Sequence, residues 1–103
     1  MIKSIMKRDG RVVLYDESKI ASAILKALEA AREGDASVAA QVANSVEARL
    51  EDLCSDGTPQ IEQIQDTVEQ ELMRAGCEEA AKQYILYRAE RTRIREAKTS
   101  LMK

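Results

Sequence analysis

Apolar residues recur at the spacing of one helix face in four successive stretches of the chain, leaving little sequence for anything else. Ile20, Ile24, Leu28 and Ala31 form the first stripe. The expected helix runs from about Glu17 to Arg32, with Asp16 as its N-cap and Gly34 just past its end. A second helix follows Asp35, where Val38, Val42, Val46, Leu50 and Leu53 share a face. Ser55-Asp56-Gly57 then breaks the chain. Thr58 is expected to cap the third helix, with Pro59 at its first position, where a missing N–H costs nothing. Ile61, Ile64, Val68 and Leu72 line that helix, and Gly76 ends it. The fourth starts near Cys77 and runs toward the C-terminus, with Ala80, Ala81, Tyr84 and Ile85 on its inner face. Glu78 and Glu79 at its start and arginines near its end suit the helix dipole.

Ahead of these helices, residues 2–15 read as a β-hairpin. Two β-prone runs flank Asp9-Gly10, a pair suited to a type I′ turn with positive φ at both central positions. An isolated hairpin is marginal in water, so it must lie on the helices. Only three residues are aromatic, Tyr15, Tyr84 and Tyr87, so the core is built from Leu, Ile, Val, Ala and Met, a palette suited to packed helices. At 103 residues the chain is expected to be one domain over 1–103: a hairpin cap at 2–15 on a helical bundle at 16–98. The fold class is mostly α, formally α+β.

Several chemistries lack their residues. Without histidine the commonest general base and metal ligand is missing. Cys54 and Cys77 alone make neither a four-ligand zinc site nor a disulfide framework, and read as core or helix-end residues. There is no Walker-type phosphate loop and no G-x-G-x-x-G. The carboxylates of the second and third helices read as a solvated face, with no pair singled out for acid–base work. The chain is therefore expected not to be an enzyme. No apolar run approaches a membrane span and no signal peptide is evident, so a cytoplasmic location is the default expectation.

The charge is unevenly spread. Eighteen acidic residues against sixteen basic ones argue against a nucleic-acid-binding module. Residues 1–19 carry +2, residues 20–87 carry −8 and residues 88–103 carry +4. Either the basic ends are simply solvated, or they meet around one anion. Lys7-Arg8-Asp9-Gly10-Arg11 forms a basic hairpin tip. Lys19 falls in the first turn of the first helix, unfavourable for the isolated helix but reasonable if a polyanion lies between it and the tip. Tyr84, Arg88, Arg91 and Arg95 line one side of the fourth helix; arginines can grip phosphate there, or the end can be solvated and bridged by Glu90 and Glu96. The residues alone thus describe a small helical domain with a hairpin and a candidate anion site.

The run KRDGRVVLYDESKI, residues 7–20, resembles the opening signature of the ATP-cone family. IEQIQDTVEQEL at 61–72 and QYILYRAERTRIREAK at 83–98 fit the same family in the same order. The resemblance implies a regulatory domain that binds ATP or dATP, with Mg²⁺ accompanying the nucleotide, and a fold of a small β cap over four helices. Such cones occur in ribonucleotide reductases, where they control activity or oligomeric state, and in a related transcriptional repressor. The C-terminal TRIREAKTSLMK is similar to the lead into an anaerobic or cobalamin-dependent reductase body, and the repressor's preceding cysteine pairs are missing. The implied partners are an adenine nucleotide and a reductase body or another cone, in a homo-oligomer, with no membrane and no nucleic acid.

The resemblance also implies a site. Lys7, Arg8, Asp9, Gly10 and Arg11 match the loop that covers the phosphates, and Lys19 matches the phosphate-binding lysine. Ile20, with Ile5, Tyr15 and Ile24, is expected to shape the adenine pocket. Gln65, beside Ile64, falls at a polar nucleotide contact. Tyr84, Arg88 and Arg91 lie where some members hold a second nucleotide or further phosphate contacts. The family often has Pro-Phe where this chain has Leu14-Tyr15, which keeps the ring but adds a hydroxyl. The alternatives are a ligand-free helical interaction module and the cone of a nucleotide-responsive transcriptional regulator.

Overall fold

A computed structural model of the chain describes residues 2–7, 9–54 and 57–101. Strands β1 (Ser4–Met6) and β2 (Val12–Leu14) form an antiparallel hairpin, followed by α1 (Glu17–Ala31), α2 (Ala36–Leu53), α3 (Ile61–Arg74) and α4 (Glu78–Leu101). The architecture is the expected one, a two-stranded hairpin with four helices. α1 packs on α2 and α4, and α3 packs on the same two, so the helices form a ring in chain order. Ile24, Leu28, Val46, Leu50, Ile64, Val68 and Leu72 fill the ring, none more than 2% exposed. These are the stripe residues, and burying each is worth about 1.5–3 kcal/mol over leaving it in water. Among the described residues, no helix is long and apolar enough to cross a membrane.

The helix boundaries follow local chemistry, with two exceptions. Asp16 caps α1 by accepting from the Ser18 N–H at 3.0 Å, and Asp35 caps α2 by accepting from Ser37 and Val38 at 3.0 and 3.3 Å. At the end of α1, however, Arg32 and not Gly34 takes the left-handed conformation, with φ 57°. Gly34 serves a different purpose: a Cβ there would lie 2.9 Å from Val38 Cβ, because the chain turns directly into α2. The second exception is α3, which begins at Ile61 and not at Pro59. Its start is fixed by Gln63, whose side-chain oxygen accepts from the Gln60 N–H at 3.0 Å.

Thr58 and Pro59 are drawn away from α3 by the hairpin. The Met6 N–H donates to the Pro59 carbonyl at 2.9 Å, Lys3 N–H donates to Gly57 at 3.3 Å, and the Ser4 and Thr58 hydroxyls bond at 3.0 Å. Met6 and Gln60 form a parallel bridge, so the segment before α3 covers the free edge of β1.

The hairpin turn also differs from the type I′ expectation. Lys7 N–H donates to Arg11 at 2.7 Å and Gly10 N–H to Lys7 at 3.0 Å, so the strands close at Lys7 and Arg11 and not around a two-residue Asp9-Gly10 turn. Gly10 has φ 89°. The Asp9 carboxylate instead accepts from the Arg11 amide at 3.0 Å. The pairing of Ile5 with Val13 on the inner face sets this register, since a slip by one residue would turn both outward.

The start of α4 is held from a distance. Glu33, in the turn between α1 and α2, accepts from the Ala80 N–H at 2.6 Å and satisfies a first-turn donor. Glu33→Ala is expected to lower stability by about 1 kcal/mol. Urea denaturation checks this, and a local loss of amide protection at the start of α4 identifies the cause.

Candidate functional site

A cavity of about 660 Å³ lies under the hairpin tip between α1, α3 and α4, with no lining residue from α2. Short connections make consecutive helices antiparallel, which brings the starts of α1 and α3 to the hairpin end. Both helix starts direct positive dipole ends toward this region. The hairpin contributes through its two-residue alternation. Ile5 and Val13 face the helices, so Lys7 and Arg11, one step nearer the tip, face the same way.

The cavity wall is of two kinds. Ile5, Val13, Leu14, Ile20, Ala23, Ile61 and Ile64 are apolar, while Lys7, Arg11, Lys19, Arg88 and Arg91 are cationic. Gln65, Asp16, Tyr84 and Tyr87 complete it. The structure therefore brings together residues from both basic ends of the chain. Cations from the hairpin, α1 and α4 share one wall although they are up to 84 positions apart in sequence, Lys7 against Arg91.

The cations differ in what holds them. Arg11 pairs with Asp9, Nε to Oδ2 at 2.7 Å, and Arg88 Nη1 donates to both Asp66 at 2.8 Å and Glu69 at 2.7 Å on α3. Arg88 thus straps α4 to α3 while facing the cavity. Lys7, Lys19 and Arg91 form no ion pair among the described residues. The Gln65 Oε1 atom is buried with no hydrogen-bond partner among the described residues, beside the apolar part of the wall.

Four expected residues stand elsewhere. Ile24 is fully buried, one turn below Ile20, and supports the wall without reaching it. Tyr15 shares the inner hairpin face but lies four residues from Arg11, about 13 Å along the strand. Its amide pairs with Lys3 at 2.9 Å, and its hydroxyl is buried near Glu47 of α2, Glu17 and Glu51, away from the cavity. Asp9 shapes the turn and neutralises Arg11; the Arg11 amide is the main reason its carboxyl stays below the usual range. Gly10 lines a separate shallow depression of about 250 Å³ with Gln60 and Glu62. Arg8 lies outside the described residues, and nothing is described of the side chain of Arg95.

Sequence reasoning passed over Tyr87. It falls three residues after Tyr84 and four before Arg91, on the same helix face, so the spacing alone would have found it. Asp16 was read only as a cap, yet it also reaches the wall.

The family model described as the ATP cone domain matches residues 3–93. The chain belongs to the ATP-cone domain family. Its cavity therefore stands in a fold that, across the family, serves nucleotide-binding regulation. The cone is 44% identical over 103 residues to the vitamin B12-dependent ribonucleoside-diphosphate reductase of Thermoplasma acidophilum, covering 95% of this chain and 13% of that protein. It is 36% identical over 101 residues to the anaerobic ribonucleoside-triphosphate reductase of Escherichia coli, covering 98% of this chain and 14% of the relative. The ribonucleoside-diphosphate reductase subunit alpha of Chlamydia trachomatis is 36% identical over 102 residues, with 90% of the cone and 10% of the subunit covered. The cone thus spans a small part of these curated relatives.

Two phenols of the cone are perturbed. Burial pushes the Tyr84 hydroxyl up to about 12, partly offset by Arg88, and burial with the charge of Glu47 pushes Tyr15 up to about 12. Folding favours the neutral phenol, so this stabilisation is fully present below about pH 10 and is lost as pH rises toward 12. Ultraviolet-monitored alkaline titration is expected to show two late tyrosines, and Tyr84→Phe to remove one of them.

Proposed function

We propose that the cavity under the hairpin binds an adenine nucleoside triphosphate, ATP or dATP, as an effector. The observation that carries this reading is the division of one wall into an apolar part with a buried acceptor, Gln65, and a cationic part with three ammonium or guanidinium groups, Lys7, Lys19 and Arg91, that have no acidic partner among the described residues. A purine fits the former, and a polyanion the latter. Lys7 and Arg11 close from the hairpin, Lys19 reaches from α1 and Arg91 from α4. Arg88 joins them only in competition with Asp66 and Glu69. No cluster of three or more acidic or thiol side chains among the described residues suits a metal. Magnesium would therefore enter with the phosphates and keep several of its waters.

In the enzymes whose sequences it resembles, such a domain regulates ribonucleotide reduction, and we assign this cone the same task. ATP and dATP differ by one 2′-hydroxyl, and a polar contact at that position separates them by about 1–3 kcal/mol. The nucleotide shifts the assembly only through its different affinity for two states. The hairpin and α4 are the two elements it would draw together. The partners are a reductase body or a second cone.

Titration calorimetry with ATP and dATP tests the site. Lys19 is exposed and makes no ion pair among the described residues, so Lys19→Gln should fold normally and lose at least about tenfold in affinity, the cost of one charge-assisted contact to phosphate. Asp66→Asn combined with Glu69→Gln releases Arg88 and is expected to tighten binding. A flat trace with both nucleotides, together with a melting temperature unmoved by millimolar ATP, would leave a ligand-free docking module as the function.

A further inference from the structure

A second, shallower groove of about 260 Å³ opens beside the main cavity. The two share Lys19, Ala23 and Tyr87, and Ser22 and Lys26 extend the groove along α1. Lys19, Ser22 and Lys26 are spaced i, i+3 and i+7, so they follow one helix face, over about 10 Å from first to last. Across the groove, Tyr87 has Lys26 Nζ at 5.9 Å and Arg91 Cζ at 6.0 Å from its ring centre. Neither cation forms an ion pair among the described residues. Two like charges share one aromatic ring, and no carboxylate lines the groove among the described residues. The Ser18 hydroxyl is already committed to Asp16, at 2.5 Å, while the Ser22 and Tyr87 side chains bring further neutral hydroxyls to the groove.

We infer that this groove is a terminal phosphate station, which makes the site count phosphates. The inference rests on the adenine-nucleotide reading above and adds the residues that distinguish a triphosphate from a diphosphate. A phosphate chain that passes Lys19 runs on toward Lys26 and Arg91, with Ser22 donating from α1. The last phosphate of a triphosphate reaches them, while a diphosphate ends at Lys19. Lys26 therefore contributes to the affinity of the longer ligand alone. Tyr87 acts as a positioning residue, its ring holding both cations over the groove when no anion is present.

Titration calorimetry of the chain with ATP, ADP and AMP, each with magnesium, tests the inference. The unaltered protein is expected to bind ATP more tightly than ADP. Lys26→Gln is expected to weaken ATP at least about tenfold while leaving ADP unchanged, since one charge-assisted contact is lost for the longer ligand only. Lys26 is exposed, so an unchanged melting temperature without ligand confirms that the variant folds. Lys3→Gln removes the same charge outside the groove and should keep the parental preference. Equal weakening of ATP and ADP by Lys26→Gln, no weakening of either, or equal affinity of the unaltered protein for ATP and ADP would overturn the phosphate station alone. No heat with any of the three nucleotides would overturn the adenine reading and the station together.

Discussion

The backbone contact between β1 and residues 57–60 is the interaction on which the site depends. A two-stranded hairpin has too little buried surface to hold a fixed place by itself. Here the Met6 and Lys3 amides donate to Pro59 and Gly57, and the Ser4 hydroxyl meets Thr58. The hairpin is thereby tied to the start of α3, and its tip is set over the gap between α1, α3 and α4. Without that tie Lys7 and Arg11 would have no defined position relative to Lys19 and Arg91.

The ring of helices supplies the rest of the frame. α2 takes no part in the cavity wall, yet it packs on both α1 and α3 and its Val46 and Leu50 are fully buried in the core between the helices. The gap under the hairpin tip is bordered by two helix starts and the middle of α4. Charge arrives from three elements, but acid arrives at only some of it. Arg88 and Arg11 are neutralised within the fold, whereas Lys7, Lys19, Lys26 and Arg91 form no ion pair among the described residues. This division makes the balance between Arg88 and its two carboxylates a natural place for ligand and fold to compete.

The helical segments were legible in the sequence because their signals are local. Four stripes, the Asp16 and Asp35 caps and the breaks near Gly34 and Gly76 all act within a turn or two of the residues concerned. Two readings gave way to local alternatives, at Arg32 in place of Gly34 and at the Asp9 side chain in the hairpin turn, and two others failed because of positions in space. Pro59 has every local mark of a first helical residue, but its carbonyl is taken by Met6, and α3 starts two residues later. Tyr15 has the right strand face for the cavity but lies too far from the tip. For the site itself, the resemblance pointed to most of the lining residues, and helix spacing alone would have added Tyr87.

What the sequence determined by itself was the set of amphipathic helices, the inward alternation of the hairpin and the concentration of positive charge at the two ends of the chain. Each follows from periodicity or composition, which need no knowledge of the partner surface. The tertiary structure alone decided which of those charges remain without a counter-ion. That depends on whether a carboxylate from another helix comes within bonding distance, as Asp66 and Glu69 do for Arg88 and no described residue does for Arg91. Ion pairing is a property of distance in space, and no spacing along the chain encodes it.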